Sequence, residues 1–269
     1  MNENKFSTKE EEYLKQVLGL ESKSATSGTF TNDLENIATI QLQRKYAIAQ
    51  NSGTSTLHSA LLALGISDGD EVISPSFTVI MNTAVTLQCG AIPVYVDVDL
   101  ETYVANDQAL EAAISPKTKA IIPVHLFGQV ANMDKVIEIA KSNSLYVIED
   151  NAQGIGSTYI SSNNSNLKSG TIGDIGTTSF FPSKNLGCYG DGGAIFTNND
   201  ELAHVMRGIV NHGMYVRYHH DVVGVNSRLD SVQAAILSVK LPLLDFYNER
   251  RKEASLFYSK ELNQNKNNY

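Results

Sequence analysis

Short apolar runs alternate with helical patterns along most of the chain. Candidate strands include Glu71–Ser74, Ala120–His125 and Leu145–Glu149, and helix-like segments of about ten residues separate them. Such alternation is typical of parallel βαβ units with helices on both faces of one sheet. With two later runs, Thr178–Phe181 and Ala194–Thr197, the sequence predicts an α/β fold. It is a three-layer α/β/α arrangement around a mostly parallel, seven-stranded sheet.

The bulk composition restricts the function classes. Of 269 residues, 42% are hydrophobic and 19% are charged, which is typical of a soluble globular protein. A formal net charge of −8 disfavours nucleic acid or an anionic membrane as partner, because both bind basic surfaces. No apolar run has the length of a membrane span, and the first residues lack the apolar core of a signal peptide. With two distant cysteines, Cys89 and Cys188, this predicts a cytoplasmic protein with free thiols.

Three histidines, His212, His219 and His220, lie close together in the sequence. No cysteine is near them, and Asp221 directly abuts the pair instead of standing at a metal-ligand spacing. Solvent-facing histidines are therefore the favoured interpretation, and no metal site is predicted.

The segment TTSFFPSKNLGCYGDGG delivers one lysine, Lys184, into a glycine-rich loop. Before it, Thr178–Phe181 has the β-branched and aromatic content of a buried strand, which Pro182 ends. A lysine held close to backbone is partly desolvated, and desolvation favours the neutral amine that attacks a carbonyl carbon to form a Schiff base. A surface lysine in a mobile loop explains the same residues, so the segment alone leaves both interpretations open.

The segment NSGTSTLHSALLALG predicts a polar strand-to-helix turn, since Leu57, Leu61 and Leu64 recur at helical spacing. A helix that begins at Ser52–Thr54 directs free N–H groups and the positive end of its dipole into the turn, which suits a phosphate. Capping of the helix by Ser52 or Thr54 explains the same residues without a ligand. Neither the dinucleotide-binding nor the P-loop glycine spacing is present.

Asp150 ends an apolar strand in VIEDNAQG. A buried carboxylate could hold an aromatic nitrogen protonated, and Gln153 could donate to a ring oxygen; a helix cap and a solvated side chain are the alternatives. Because ligands of parallel sheets gather at the carboxyl ends of strands, we expect one pocket to collect several strand ends. The expected members are Ser52–Thr54, His125, Asp150 and Lys184. An anion-binding turn, a carboxylate and an amine match the phosphate, the pyridine nitrogen and the aldehyde of pyridoxal phosphate.

These segments, with GDEVISPSFT, KTKAIIPVHLFGQ, NHG and GVNSRLDSVQAAIL, resemble the DegT/DnrJ/EryC1/StrS family of sugar aminotransferases. The resemblance runs from about Thr29 to Leu262. It implies the large domain of a fold-type I pyridoxal-phosphate enzyme. The implied reaction is transfer of an amino group from glutamate or glutamine to a nucleotide-linked keto-sugar. Its product would be an amino sugar for a surface polysaccharide or a glycosylated metabolite.

The resemblance also implies catalytic roles. Lys184 would bind the aldehyde of the cofactor and then carry the proton between substrate carbon and cofactor carbon. Asp150 would pair with the pyridinium nitrogen, and Gln153 would hydrogen-bond the ring hydroxyl. Related sugar dehydratases carry histidine at the position of Lys184, so its lysine favours an aminotransferase. Many members have an aromatic residue in place of Val79, which gives apolar contact without ring stacking, a difference of about 1 kcal/mol.

Phosphate binding is implied for the backbone of Gly53 and Thr54 and for the hydroxyl of Ser179. Asn226, in GVNSR, matches a family asparagine that reaches the phosphate of the neighbouring subunit. The resemblance therefore implies a homodimer in which both subunits contribute to each active site.

The chain stops at Tyr269, whereas family members continue into a smaller C-terminal domain. We expect a helical arm in residues 1–30, the cofactor domain in 31–240 and a linker helix that begins a truncated domain in 241–269. We predict that the chain folds its cofactor domain but exposes apolar surface that the smaller domain would cover. The alternative function is a truncated, non-catalytic cofactor-binding or regulatory protein.

Overall fold

The computed structural model describes residues 8–19 and 28–264 of the chain. Within these ranges the helices are α1 (Thr8–Leu18), α2 (Thr29–Leu42), α3 (Gly53–Ala63), α4 (Met81–Gln88), α5 (Asp107–Ala112), α6 (Met133–Asn143), α7 (Asp200–Val210), α8 (Ser231–Lys240) and α9 (Leu244–Gln264). The strands are β1 (Tyr46–Gln50), β2 (Glu71–Pro75), β3 (Ile92–Val96), β4 (Thr118–Ile121), β5 (Tyr146–Asp150), β6 (Thr158–Ile160), β7 (Asn166–Lys168), β8 (Ile175–Ser179), β9 (Gly193–Thr197), β10 (Met214–Val216) and β11 (His219–His220).

Seven of these strands form the central sheet, in the order β1-β9-β8-β5-β4-β2-β3. Strand β9 pairs antiparallel with both β1 and β8, whereas the neighbouring pairs from β8 to β3 are all parallel. The mostly parallel seven-stranded sheet predicted from the sequence is therefore confirmed. Because β1, β5 and β8 run in the same direction, their carboxyl ends meet at one edge of the sheet, where β9 begins at Gly193.

Helices cover both faces of the sheet. On one face, α3, α4 and α7 pack on buried side chains such as Ile48, Ile148 and Ile195. On the other face, α2 and α8 pack on β1 and β9, and α5 and α6 pack on the strands around Ile121. Alternation of side chains along each strand places neighbouring residues such as Ala47 and Ile48 in different clusters. The predicted three-layer arrangement is confirmed.

Several predicted element boundaries are wrong. The strand expected at Ala120–His125 is β4, which begins at Thr118 and ends at Ile121. The strand expected at Thr178–Phe181 is β8, which ends at Ser179, because its ladders to β5 and β9 run from Ile175 onward. The pattern of Phe77–Leu87 predicts a helix over that range, but α4 begins only at Met81. The chain before it first follows the sheet, with Ser76 N donating to Val96 O (2.9 Å).

Helix α9 carries exposed apolar side chains. Phe246, Leu256, Phe257, Tyr258 and Leu262 are between 61% and 68% exposed. No helix within residues 8–19 and 28–264 combines the length and apolarity needed to cross a bilayer. The division into arm, cofactor domain and linker helix stays a prediction.

Candidate active site

A cavity of about 270 Å³ opens at the carboxyl edge of the sheet. Six of the seven predicted cofactor-binding residues line it: Gly53, Thr54, Asp150, Gln153, Ser179 and Lys184. They come from three elements and two loops: α3 begins there, β5 and β8 end there, and the loops after β5 and β8 carry Gln153 and Lys184. The topology therefore brings together groups that are up to 131 residues apart in sequence, from Gly53 to Lys184.

The N-terminus of α3 lies against the end of β8. A Cβ atom on Gly53 would stand 2.7 Å from Ser179 Cβ, so this contact requires glycine. Ser52 caps the helix, because its hydroxyl accepts from Ser55 N (3.0 Å). The N–H groups of Gly53 and Thr54 belong to the first turn, where a helix supplies no acceptor of its own. Capping by Ser52 is therefore compatible with an anion site at the same turn, although the two were alternatives in the sequence.

The loop that carries Lys184 is held at its base by backbone hydrogen bonds. Phe180 N donates to Gly192 O (2.7 Å), and Cys188 N donates to Phe180 O (2.8 Å). At the tip, Lys184 N donates to Phe181 O (2.9 Å), which closes a tight turn before the side chain. The half-buried Lys184 side chain therefore leaves an ordered turn at the cavity wall.

Helix α9 supports the same loop from outside. Asn185 Nδ2 donates to Asn248 Oδ1 (2.6 Å), and Asn248 Nδ2 donates to Ile155 O (3.2 Å). Arg251 Nη2 donates to Lys184 O (3.4 Å). The first turns of α9 are thereby connected to the backbone of the lysine itself.

Helix α1 reaches the loop through Tyr189. The Tyr189 hydroxyl donates to Glu10 Oε1 (3.1 Å), and Lys240 Nζ lies 4.3 Å from the Tyr189 ring centroid. Lys240 Nζ also donates to Gly187 O (2.9 Å). Burial, followed by the nearby Glu10 carboxylate, raises the pKa of Tyr189 to about 12. Burial likewise raises the pKa of the Cys188 thiol, which suits a thiol that packs inside the loop.

Asp150 presents a fixed carboxylate to the cavity. The residue is 3% exposed, and within the described part of the chain each carboxylate oxygen accepts one hydrogen bond. Asn82 Nδ2 donates to Oδ2 (3.1 Å), and Ala152 N donates to Oδ1 (3.1 Å). Each carboxylate oxygen has further acceptor capacity, which is available to a donor in the cavity.

Gln153 is oriented by an unusual backbone position. Phe127 adopts φ 56° and ψ 15°, which is rare for a residue with a large side chain, and its N–H donates to Gln153 Oε1 (2.7 Å). This bond fixes which end of the amide is the acceptor. The Gln153 Nε2 group therefore remains to donate toward the cavity that the residue lines.

His125 does not join the pocket, so the prediction for this residue is wrong. The side chain is fully buried, and Nε2 lies 2.8 Å from Glu149 Oε2. Ala131 N donates to His125 Nδ1 (3.3 Å), so the proton resides on Nε2 and is donated to the carboxylate. Glu149 also accepts from Gly170 N (2.8 Å) and from Ile172 N and Gly173 N. The pair stabilises the layer beneath the site, while Val124 and Leu126 line the cavity instead.

Asn226 lies outside the lining of this cavity and is exposed. It pairs in an isolated antiparallel bridge with Asn211, and its carbonyl accepts from Asn51 Nδ2 (3.5 Å). The expectation for Asn226 concerned the neighbouring subunit, so its role stays a prediction.

Two contributors to the site were not identified from the sequence: Asn82 and the backbone of Phe127. Asp191 also lines the cavity. Asn82 lies 68 residues before its partner Asp150, and no local pattern links the two positions. The positive φ of Phe127 is equally hidden, because glycine is the residue that usually signals such a backbone. A glycine does follow it at position 128, which is the one sequence signal of a turn there.

The residues present fit pyridoxal phosphate. The start of α3 supplies N–H donors for a phosphate, Asp150 supplies an anionic acceptor for a ring nitrogen, and Lys184 supplies an amine. Val79 and Leu57 add apolar wall, as the face of an aromatic ring requires.

Known proteins resemble this chain over most of its length. At 47% identity it matches UDP-2-acetamido-2-deoxy-3-oxo-D-glucuronate aminotransferase of Pseudomonas aeruginosa, over 88% of this chain and 65% of that protein. At 50% identity it matches UDP-N-acetyl-3-dehydro-alpha-D-glucosamine 3-aminotransferase of Acidithiobacillus ferrooxidans, over 78% of this chain and 56% of that protein. The chain thus spans less than two thirds of the length of these relatives.

Structural comparison gives the same result. The crystal structure of NtdA from Bacillus subtilis with bound cofactor PMP superposes with a TM-score of 0.88 at 35% identity, covering 97% of this chain and 59% of that one. The model of the DegT/DnrJ/EryC1/StrS aminotransferase family matches residues 5–269. The resemblance seen in the sequence motifs is confirmed, and the chain belongs to the DegT/DnrJ/EryC1/StrS aminotransferase family.

Proposed function

We propose that the protein is a pyridoxal-phosphate-dependent aminotransferase that transfers an amino group from glutamate or glutamine to a nucleotide-linked keto-sugar. One observation carries the proposal: Lys184, Asp150 and the N-terminus of α3 line a single cavity. These are the three groups that such a cofactor needs, and they come from distant parts of the chain. A cytoplasmic role in making amino sugars for a surface polysaccharide or a glycosylated metabolite belongs to the same proposal.

Each residue has a definite task in this reaction. Pyridoxal phosphate, when bound, supplies the electron sink for amino transfer. With the cofactor bound, Lys184 Nζ would hold it at its aldehyde carbon, and the same amine would move the proton between the reacting carbon atoms. Asp150 would hold the proton on the ring nitrogen, and Gln153 Nε2 would donate to the ring hydroxyl. Gly53 N, Thr54 N and the Ser179 hydroxyl would hold the phosphate.

The substrate class rests on the relatives. The two proteins named above are described as acting on UDP-linked sugars that carry a 3-oxo or 3-dehydro group. At 47% and 50% identity, these relatives support a UDP-linked 3-keto-sugar as the first substrate to test.

The proposal includes a homodimer with shared active sites. In it, Asn226 reaches the phosphate bound by the neighbouring subunit. An apolar area near the cavity supports such a partner surface, since Val79, Ile80 and Tyr95 are each about half exposed or more and line one shallow depression.

The experiment is an absorbance titration of the purified chain. Adding pyridoxal phosphate should produce the visible band of a lysine-bound cofactor. Glutamate or glutamine should then abolish the band, and a UDP-linked 3-keto-sugar should restore it.

The outcomes separate the candidate functions. A cofactor-binding protein without turnover, the alternative drawn from the sequence, would show the band and keep it after every amino donor. A chain that shows no band, and no covalent cofactor after borohydride reduction, would contradict both functions.

A further inference from the structure

The side chain of Asn82 is directed at the candidate catalytic carboxylate from behind. Asn82 is the second residue of α4, and its side chain is 1% exposed. The neighbouring residues Val79 and Met81 line the cavity, whereas Asn82 makes its contact one layer deeper. Its Nδ2 atom donates to Asp150 Oδ2 at 3.1 Å.

The contact fixes the direction of the Asp150 carboxylate. The other oxygen, Oδ1, accepts from Ala152 N at 3.1 Å. With one donor on each oxygen, the plane of the carboxylate cannot rotate without breaking a charge-assisted hydrogen bond in a buried site. Ala152 N is part of the backbone turn after β5, so Asn82 is the member of the pair that a side-chain substitution can remove.

The side-chain amide of Asn82 contacts Asp150 through its donor group, Nδ2. Within the described residues its Oδ1 atom is buried and has no hydrogen-bond partner. Exchanging the two ends of the amide would place Oδ1 against the carboxylate oxygen, which is repulsive while Asp150 is ionised. The orientation of the Asn82 side chain is therefore set by the hydrogen bond that Nδ2 donates to Asp150.

We propose, on the basis of the function proposed above, that Asn82 is a positioning residue that acts through Asp150. It holds the carboxylate in the direction of the ring nitrogen of a pyridine-type cofactor. The inference predicts that Asn82 matters for a ligand that carries a ring nitrogen and not for one that lacks it.

A cofactor analogue provides the test. Dissociation constants are measured by equilibrium dialysis for pyridoxal phosphate and for its 1-deaza analogue, in which carbon replaces the ring nitrogen. Asn82→Leu removes the donor at similar volume. The variant should weaken binding of pyridoxal phosphate about tenfold, as loss of an orienting outer contact commonly does, and binding of the analogue less than about twofold.

A matched variant controls for damage to the helix. Thr86→Val changes a second buried polar side chain of α4 and should leave both constants unchanged, because the Thr86 hydroxyl donates to the Asn82 backbone carbonyl (2.8 Å) and not to Asp150. If Asn82→Leu fails to give the circular dichroism of the unchanged protein, Asn82→Ala replaces it. Equal losses for the two compounds, or no loss for either, would overturn the role of Asn82 alone. Failure of the unchanged protein to bind pyridoxal phosphate would reject the proposed function as well.

Discussion

Lys184 is the side chain on which the proposed chemistry depends. Lys184→Ala should abolish the visible band with pyridoxal phosphate, because Lys184 is the one lysine that lines the cavity among residues 8–19 and 28–264. The free energy of unfolding should change by less than about 0.5 kcal/mol, since the side chain is half-buried at a cavity wall. Lys117→Ala, at an exposed site, is the matched control for absorbance and stability. A band that persists in the Lys184 variant would reject the assignment.

Val79 offers a gain of binding instead of a loss. It lines the cavity and is 52% exposed, so a larger ring has room at this position. Val79→Phe should tighten binding of pyridoxal phosphate about fivefold, because aromatic stacking contributes about 1 kcal/mol. The measurement is a dissociation constant by equilibrium dialysis, with Leu87→Phe, at an exposed position of α4 outside the cavity lining, as control. Unchanged or weaker binding in the Val79 variant would show that the wall at this position does not face the ring.

At the scale of elements, the buried carboxylate at the end of β5 is the most sensitive point. Glu149 accepts hydrogen bonds from His125 and from three backbone N–H groups. Glu149→Gln places an amide donor against these donors, and the free energy of unfolding should fall by about 3 kcal/mol in urea denaturation. Glu111→Gln, on the exposed side of α5, should lower the free energy of unfolding by less than about 0.5 kcal/mol. Similar values for the two variants would contradict the structural role of Glu149.

The contact between α1 and the lysine loop predicts a dependence on alkaline pH. The pKa of an ordinary tyrosine is 10.0, whereas the pKa of Tyr189 in the folded protein is about 12. The folded state therefore keeps the phenolic proton to a higher pH than the unfolded state does. Its contribution to stability is complete below pH 10 and is lost as the pH rises toward 12. Over this window the free energy of unfolding should fall less steeply in Tyr189→Phe than in the unchanged protein. Parallel curves would show that the phenol is not linked to folding.

The sequence predicted elements better than contacts between them. Asp150 and Lys184 could be placed at one edge of the sheet, because a strand end and a glycine-rich turn are local signals. His125 was wrongly placed, since the pattern that ends a strand does not determine where the next side chain points. Asn82 could not be predicted because its contact with Asp150 forms only when α4 packs against β5. Phe127 could not be predicted because the residue type does not indicate a positive φ.

At the scale of the whole molecule, the proposed dimer can be tested by mixing subunits. Asn226→Ala should weaken cofactor binding, and Lys184→Ala should prevent covalent attachment. In mixed dimers, one site combines an intact lysine with an intact asparagine from the other chain. Random exchange should therefore restore about a quarter of the sites at limiting cofactor, measured by the visible band. Recovery that does not exceed the sum of the separate variants would contradict shared sites.

The pair formed by His125 and Glu149 has a consequence for how this protein can change over generations. Both side chains are fully buried, so replacing His125 removes one donor from Glu149, and replacing Glu149 leaves His125 Nε2 and three backbone N–H groups without their acceptor. A randomised library at these two positions, selected for folded protein, should return the original pair. Single replacements should be scarce, which makes the two positions one inherited unit.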